Sequence, residues 1–131
     1  MADIVFVCMH NAIRSQMAAA FFNKHRTQDR VKAVWAGVTP AAKVPDFVRN
    51  IMQEVDVDLS GIKPVKLTAE LAKTVSTIVT LGCGEACPDF PGVDVVDWKL
   101  ADSKDRSLDG AREMRNEIEN KVKVFIAESN Y

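Results

Sequence analysis

Cys8 and Arg14 are separated by five residues, and Ser15 follows directly. A cysteine thiolate is a strong nucleophile. A guanidinium presents a planar fork that fits the oxygens of a tetrahedral oxyanion. A neighbouring hydroxyl can donate to the sulfur. Together these groups suffice for attack on an oxyanion, provided that Cys8 and Arg14 face one point. The flanking residues predict that they do. Ile4, Val5, Phe6 and Val7 form an apolar, β-branched run that reads as a strand ending at Cys8. The stretch after Ser15 is rich in Ala, Met and Phe and reads as a helix that Arg14 opens. In a strand–loop–helix of this kind the loop N–H groups and the positive helix N-terminus point at the same spot. The candidate oxyanion-binding residues are therefore Met9, His10, Asn11, Ala12, Ile13 and Arg14, with Cys8 at their centre. Asn11 suits the tight loop because Asn tolerates a left-handed backbone. A buried structural cysteine beside an exposed helix-starting arginine would share the spacing; the strand-to-helix junction and Ser15 favour the chemical reading.

Acidifying a thiol raises its thiolate fraction but lowers its nucleophilicity with a Brønsted slope of about 0.4–0.5, so the two effects largely cancel. The cradle would thus act mainly by aligning the oxyanion and stabilising charge that develops in the transition state.

The other two of the three cysteines, Cys83 and Cys87, share one Gly- and Pro-rich stretch, residues 82–92. Clustered thiols supply two electrons by forming a disulfide. Two unrelated loop cysteines are the plain alternative. A zinc site would lack two ligands, since His10 and His25 do not complete a metal-type spacing, and no metal site is assigned. His10 borders the anion site and His25 sits near a helix end, where it suits the dipole.

The elements that must position these groups follow from the pattern. Helix is expected over 15–25, strand over 31–36, and helix from Pro45 to about 55 with Phe47, Val48, Ile51, Met52 and Val55 inward. Thr68 caps a short helix to about 73. Residues 75–81 read as a strand covered on both faces, 93–96 as a fourth strand. Ser107 caps a long last helix with Leu108, Ala111, Met114, Ile118, Val122 and Phe125 at helical spacing. Strands alternating with helices predict a three-layer α/β/α fold around a four-stranded parallel sheet. Sites in such sheets lie at the strand C-termini. Cys8, the stretch with Cys83 and Cys87, and the stretch 98–106 each follow a strand and should converge there.

The chain has 131 residues and a formal net charge of −1. One domain over 1–131 is expected, and nothing suggests nucleic acid or a membrane as partner. With no signal peptide read at the N-terminus, a cytoplasmic protein is expected; there, disulfides are usually transient and catalytic.

Cys8-x5-Arg14-Ser15 on the first βα turn resembles the low-molecular-weight phosphotyrosine phosphatase family. The longer string Cys8-Met9-His10-Asn11-Ala12-Ile13-Arg14-Ser15-Gln16-Met17-Ala18 is more similar to its redox branch, the thioredoxin-coupled arsenate reductases. The resemblance runs over nearly the whole chain and implies a phosphatase-like fold. It implies that Cys8 attacks arsenate and that Asp102, in Trp98-Lys99-Leu100-Ala101-Asp102, protonates the leaving oxygen. It further implies a Cys8–Cys83 disulfide, then Cys83–Cys87, reset by thioredoxin or a similar dithiol protein, with no bound cofactor. The chain departs from the family in places. Ser103 stands where Pro usually follows the acid, and Asp105 is a rival for that role. The position just before the arginine, often cysteine, is Ile13. Ala19 occupies the place of a glutamate that serves a potassium site, so potassium dependence is not carried over. The alternative is a phosphatase for phosphotyrosine or small phosphate esters. Such enzymes typically place tyrosines after the acid, whereas the only tyrosine here is Tyr131. A non-catalytic anion-binding or redox-sensing domain is the third possibility.

Overall fold

Strand β1, Ile4–Cys8, is the middle of the molecule. The structure, a computed structural model, describes residues 4–9, 13–82, 92–98 and 107–131. Ile4, Val5, Phe6 and Val7 are wholly buried and Cys8 is 7% exposed. An uninterrupted apolar run suits a strand buried on both faces, and each such side chain contributes about 1.5–3 kcal/mol on burial. The chain continues through helix α1 (Arg14–His25), strand β2 (Ala33–Gly37), helices α2 (Asp46–Gln53) and α3 (Ala69–Ala72), strands β3 (Thr77–Thr80) and β4 (Asp94–Asp97), and helix α4 (Leu108–Ser129).

All pairings are parallel, in the order β2-β1-β3-β4. Cys8 lies level with Gly37 on one side. On the other, Val7 pairs with Thr80, and the Leu81 N–H donates to the Val7 carbonyl at 2.8 Å. Alternation along β1 divides the core. Ile4, Phe6 and Cys8 pack with α1, α2 and α4, whereas Val5 and Val7 pack with Ala36, Leu67, Ala72, Val75 and Ile78 on the α3 side. This is the expected three-layer α/β/α arrangement. The outer edge of β2 is covered: Gly37 donates to Val65 and accepts from Leu67.

Element bounds follow the sequence closely, with local differences. Strand β2 starts at Ala33 rather than 31, and α1 already includes Arg14. Thr68 and Ser107 cap their helices through side-chain oxygens that accept from Leu71 and Gly110. Helix α2 ends in a Schellman turn. Val57 N–H reaches the Met52 carbonyl, Asp56 N–H reaches Gln53, and Asp56 takes φ +62°. Phe47 and Leu108 were expected inside but are 37% and 50% exposed. Val48, Ile51, Met52, Ile118 and Val122 are buried as expected, and a polar joint also links α2 to α4. Arg115, 7% exposed, donates to the Ile51 carbonyl and to Glu54, and Arg112 binds both oxygens of Glu54.

Hydrogen bonds from Arg112, then from Arg115, hold the Glu54 carboxyl down at about 2, from an ordinary 4.5. A depressed carboxylate stabilises the fold above its unfolded value, and that contribution disappears as pH falls through the folded value. Glu54→Gln should therefore lower stability against urea at pH 7, and its deficit should shrink as pH falls from 4.5 toward about 2. A deficit of the same size at both ends of that window would show that charge is not what joins α2 to α4.

Candidate active site

The end of β1 is fixed by its neighbours before any loop residue is considered. The Cys8 carbonyl accepts the Val38 N–H at 3.2 Å, and the Met9 carbonyl accepts the Thr39 N–H at 2.8 Å. The chain is thus held just past β2 as it enters the loop. It leaves the loop at Ile13, with φ −128° and ψ −78°, and the Met17 N–H closes the first helical bond onto Ile13 at 3.1 Å. Helix α1 has no side-chain cap and no acidic residue in its first turn. No carboxylate in that turn therefore opposes an anion at the positive helix end.

Ser15, fully buried, faces back onto the strand: its Oγ lies 3.1 Å from Cys8 Sγ. Either atom can be the donor when sulfur is protonated; a thiolate can only accept, so the hydroxyl then donates. Arg14 reaches in another direction. One of its terminal N–H groups donates to the Leu81 carbonyl at 3.1 Å, just past the end of β3. In the order β2-β1-β3-β4 the chain switches direction between β1 and β3. The crevice beyond the strand C-termini at such a point is where ligands bind in open α/β sheets. Cys8 ends β1 and the Leu81 carbonyl that receives Arg14 lies just past the end of β3, so both stand at that point.

Of the residues expected from sequence, the structure pairs Cys8 with Ser15, seats Arg14 on the Leu81 carbonyl, and puts Met9 and Ile13 at the two ends of the loop. His10, Asn11 and Ala12 lie outside the described residues, as do Cys83, Cys87, Asp102 and Asp105. Among the described residues there is no group of three or more His, Cys, Asp or Glu side chains that could hold a metal ion, and no helix long and apolar enough to cross a membrane. His25 was expected to complement the end of α1. It lies in the last turn of α1, and its ring also pairs with Glu119 at 2.8 Å and stacks on Phe21. It sits ten residues beyond Ser15 along α1, about 15 Å at 1.5 Å per residue.

Three contacts were missed by sequence reasoning. The first is the Leu81 carbonyl as the seat of Arg14; a backbone acceptor leaves no trace in residue type. The second is Gln16, 1% exposed behind the loop. The third is Thr80, whose Oγ1 donates to Asp97 Oδ1 at 3.1 Å and whose carbonyl accepts the Trp98 N–H at 3.0 Å. Thr80 stands inside an apolar run, and that was the available signal: a buried polar group needs a partner.

The arrangement predicts anion binding over the thiol. Inorganic phosphate should slow alkylation of Cys8 by iodoacetamide. Arg14→Ala should raise the phosphate concentration needed for protection by about ten- to a hundredfold, as losing a hydrogen bond from a charged donor at ~1.5–3 kcal/mol implies. Protection of equal strength in both proteins would remove Arg14 from the anion site.

Comparison with known proteins agrees with the fold. The chain is 34% identical over 129 residues to a Halobacterium salinarum protein named "Putative arsenate reductase", covering 95% of this chain and 91% of that one. It is 28% identical over 130 residues to the "Glutaredoxin arsenate reductase" of Synechocystis, covering 97% and 98%. Among solved structures it superposes on the Corynebacterium glutamicum thioredoxin-dependent arsenate reductase with a TM-score of 0.84 at 29% identity, over 98% of this chain and 61% of that longer one. A family model matches residues 3–130, and the chain belongs to the low molecular weight phosphotyrosine protein phosphatase family.

Proposed function

We propose that the protein is an arsenate reductase working through a three-cysteine relay. The observation that carries the reading is the pairing of Cys8 Sγ with Ser15 Oγ at the end of β1, while Arg14 bonds the backbone two residues before Cys83. The relatives named as arsenate reductases support it at the level of the whole chain.

In this reading arsenate binds over the loop amides of residues 9–14 and the Arg14 fork. The Cys8 thiolate attacks arsenic and forms a sulfur–arsenic bond; an oxygen departs as water after taking a proton, assigned to Asp102. The Cys83 thiolate then attacks Cys8 Sγ. The sulfur–sulfur bond forms as the sulfur–arsenic bond breaks, and its electron pair stays on arsenic, which leaves as arsenite. Cys87 next attacks Cys83, releasing the Cys8 thiolate and leaving Cys83–Cys87 oxidised. An external dithiol protein returns two electrons. Thioredoxin is the proposed reductant; the glutaredoxin-named relative makes a glutathione-linked system the comparison to run beside it. The second reading, a phosphatase, needs only Cys8, Arg14, Ser15 and an acid, followed by hydrolysis of the thiol ester of phosphate. It gives Cys83 and Cys87 no task.

Cys8→Ser should abolish arsenite production while phosphate still binds, because only the nucleophile is lost. Arsenite formation by that variant near the wild-type rate would sink the assignment. Cys87→Ser should release one arsenite per enzyme from the pre-reduced protein and then stop as a Cys8–Cys83 disulfide visible by mass. Repeated turnover with thioredoxin as sole reductant would remove Cys87 from the relay.

A further inference from the structure

We propose that Thr80 is a positioning residue for the proton donor, holding the root of the segment that carries it. The inference rests on the reading above, in which the acid is Asp102. Thr80 is 4% exposed, between apolar neighbours Val79 and Leu81 that are wholly buried. Packing alone would be met by valine, which has the same shape without a hydroxyl to satisfy. The hydroxyl is used on the next strand: it donates to the Asp97 carboxylate at 3.1 Å. The carbonyl of the same residue accepts the Trp98 N–H at 3.0 Å. One residue thus grips both members of the Asp97–Trp98 pair, from the side chain and from the backbone.

The Trp98 ring completes the anchor. It packs 5.6 Å from Phe6 and 5.9 Å from Phe125, centroid to centroid, so the core holds it from β1 and α4. Asp102 follows Trp98 by four residues. Four residues span at most about 13–14 Å, at 3.3–3.6 Å each. Where Trp98 is placed therefore limits where the acid can be. The residue after Thr80 faces the opposite partner: the Leu81 carbonyl receives Arg14. Two adjacent residues of one chain thus hold Arg14 and the Asp97–Trp98 root of the acid-bearing segment. Losing the Asp97 contact lets the root of that segment shift, and a displacement of about 1 Å at a reacting group can cost a hundredfold in rate.

The test is single-turnover arsenite release from the pre-reduced enzyme, with arsenate varied to separate binding from rate. Thr80→Val should lower the saturated rate by about tenfold, inside the range a general acid supplies, while half-saturation by arsenate stays within about twofold. Thr80→Ser, which keeps the hydroxyl, should return to within about twofold of wild type. Asp97→Asn keeps an oxygen acceptor and should do the same. In an Asp102→Asn background Thr80→Val should have no further effect, because it acts through the acid. A wild-type rate in Thr80→Val, with Asp102→Asn impaired, would overturn this proposal alone. The same tenfold drop in both backgrounds would also overturn it, showing that Thr80 matters for structure. A wild-type rate in Asp102→Asn itself would overturn the acid assignment, and the positioning role with it.

Discussion

The burial of β1 on both faces and both edges is the constraint from which the rest follows. A strand with hydrogen-bonded neighbours at each side and helices above and below has one register and one depth. Val5 pairs with Val34 on one side and Ile78 on the other, and the same alignment continues to the strand end. Cys8 inherits its place from that alignment. Its sulfur falls on the face shared by α1, α2 and α4 because Ile4 and Phe6 do, at a period of two. A shift by one residue would send Cys8 to the α3 face and separate it from Ser15. The nucleophile's position is thus set by the hydrophobic pattern of the four residues before it.

Much of this was legible in the sequence. The strand types, the caps at Thr68 and Ser107, and the meeting of Cys8 with Ser15 depend on local chemistry: residue shape, side-chain oxygens near helix starts, and a short loop. Contacts made across the fold were less legible. Arg115 at an inward position of α4 looks like a break in the apolar stripe until Glu54 and the Ile51 carbonyl are seen opposite it. Leu108 fits the helical period but, as the first residue of α4, is 50% exposed. His25 satisfies a dipole rule, yet Glu119, distant in sequence, sits at 2.8 Å and accounts for its place directly. For Arg115 and His25 the partner lies far along the chain, and spacing within one element carries no information about it.

The two faces of the sheet are unequal, and the inequality serves the site. The larger cluster holds three helices and an aromatic group in which Phe6 meets Phe22, Trp98 and Phe125. Phe6 lies two residues before Cys8 on the same face, so the aromatic packing lies directly beneath the nucleophile. Phe125 of α4 and Trp98 after β4 touch the same ring. The last helix and the last strand are therefore referenced to the strand that carries the thiol, although both are far from it in sequence. Edge-to-face aromatic pairs contribute about 0.5–1.5 kcal/mol beyond area burial, and their fixed geometry suits a frame that must align several loops.

The same alignment bears on the order of the proposed relay. Leu81 continues the ladder of β3, so it stands across from Cys8 on the adjacent strand. Adjacent strands lie about 4.7–4.9 Å apart. Cys83 is two residues beyond Leu81, so its Cα stays within about 7 Å of a residue that is itself a strand's width from Cys8. A disulfide needs Cα atoms about 4.4–6.8 Å apart; the tether allows Cys83 any separation up to about 12 Å from Cys8, so that range lies within its reach. Cys87 is four residues further on and carries no comparable restriction toward Cys8. Gly82, at φ +85°, stands in the left-handed region that a side chain would resist, and it alone separates the anchored Leu81 from Cys83. Of the two thiols, Cys83 is on the shorter tether to the ladder, which is consistent with the order of the proposed relay.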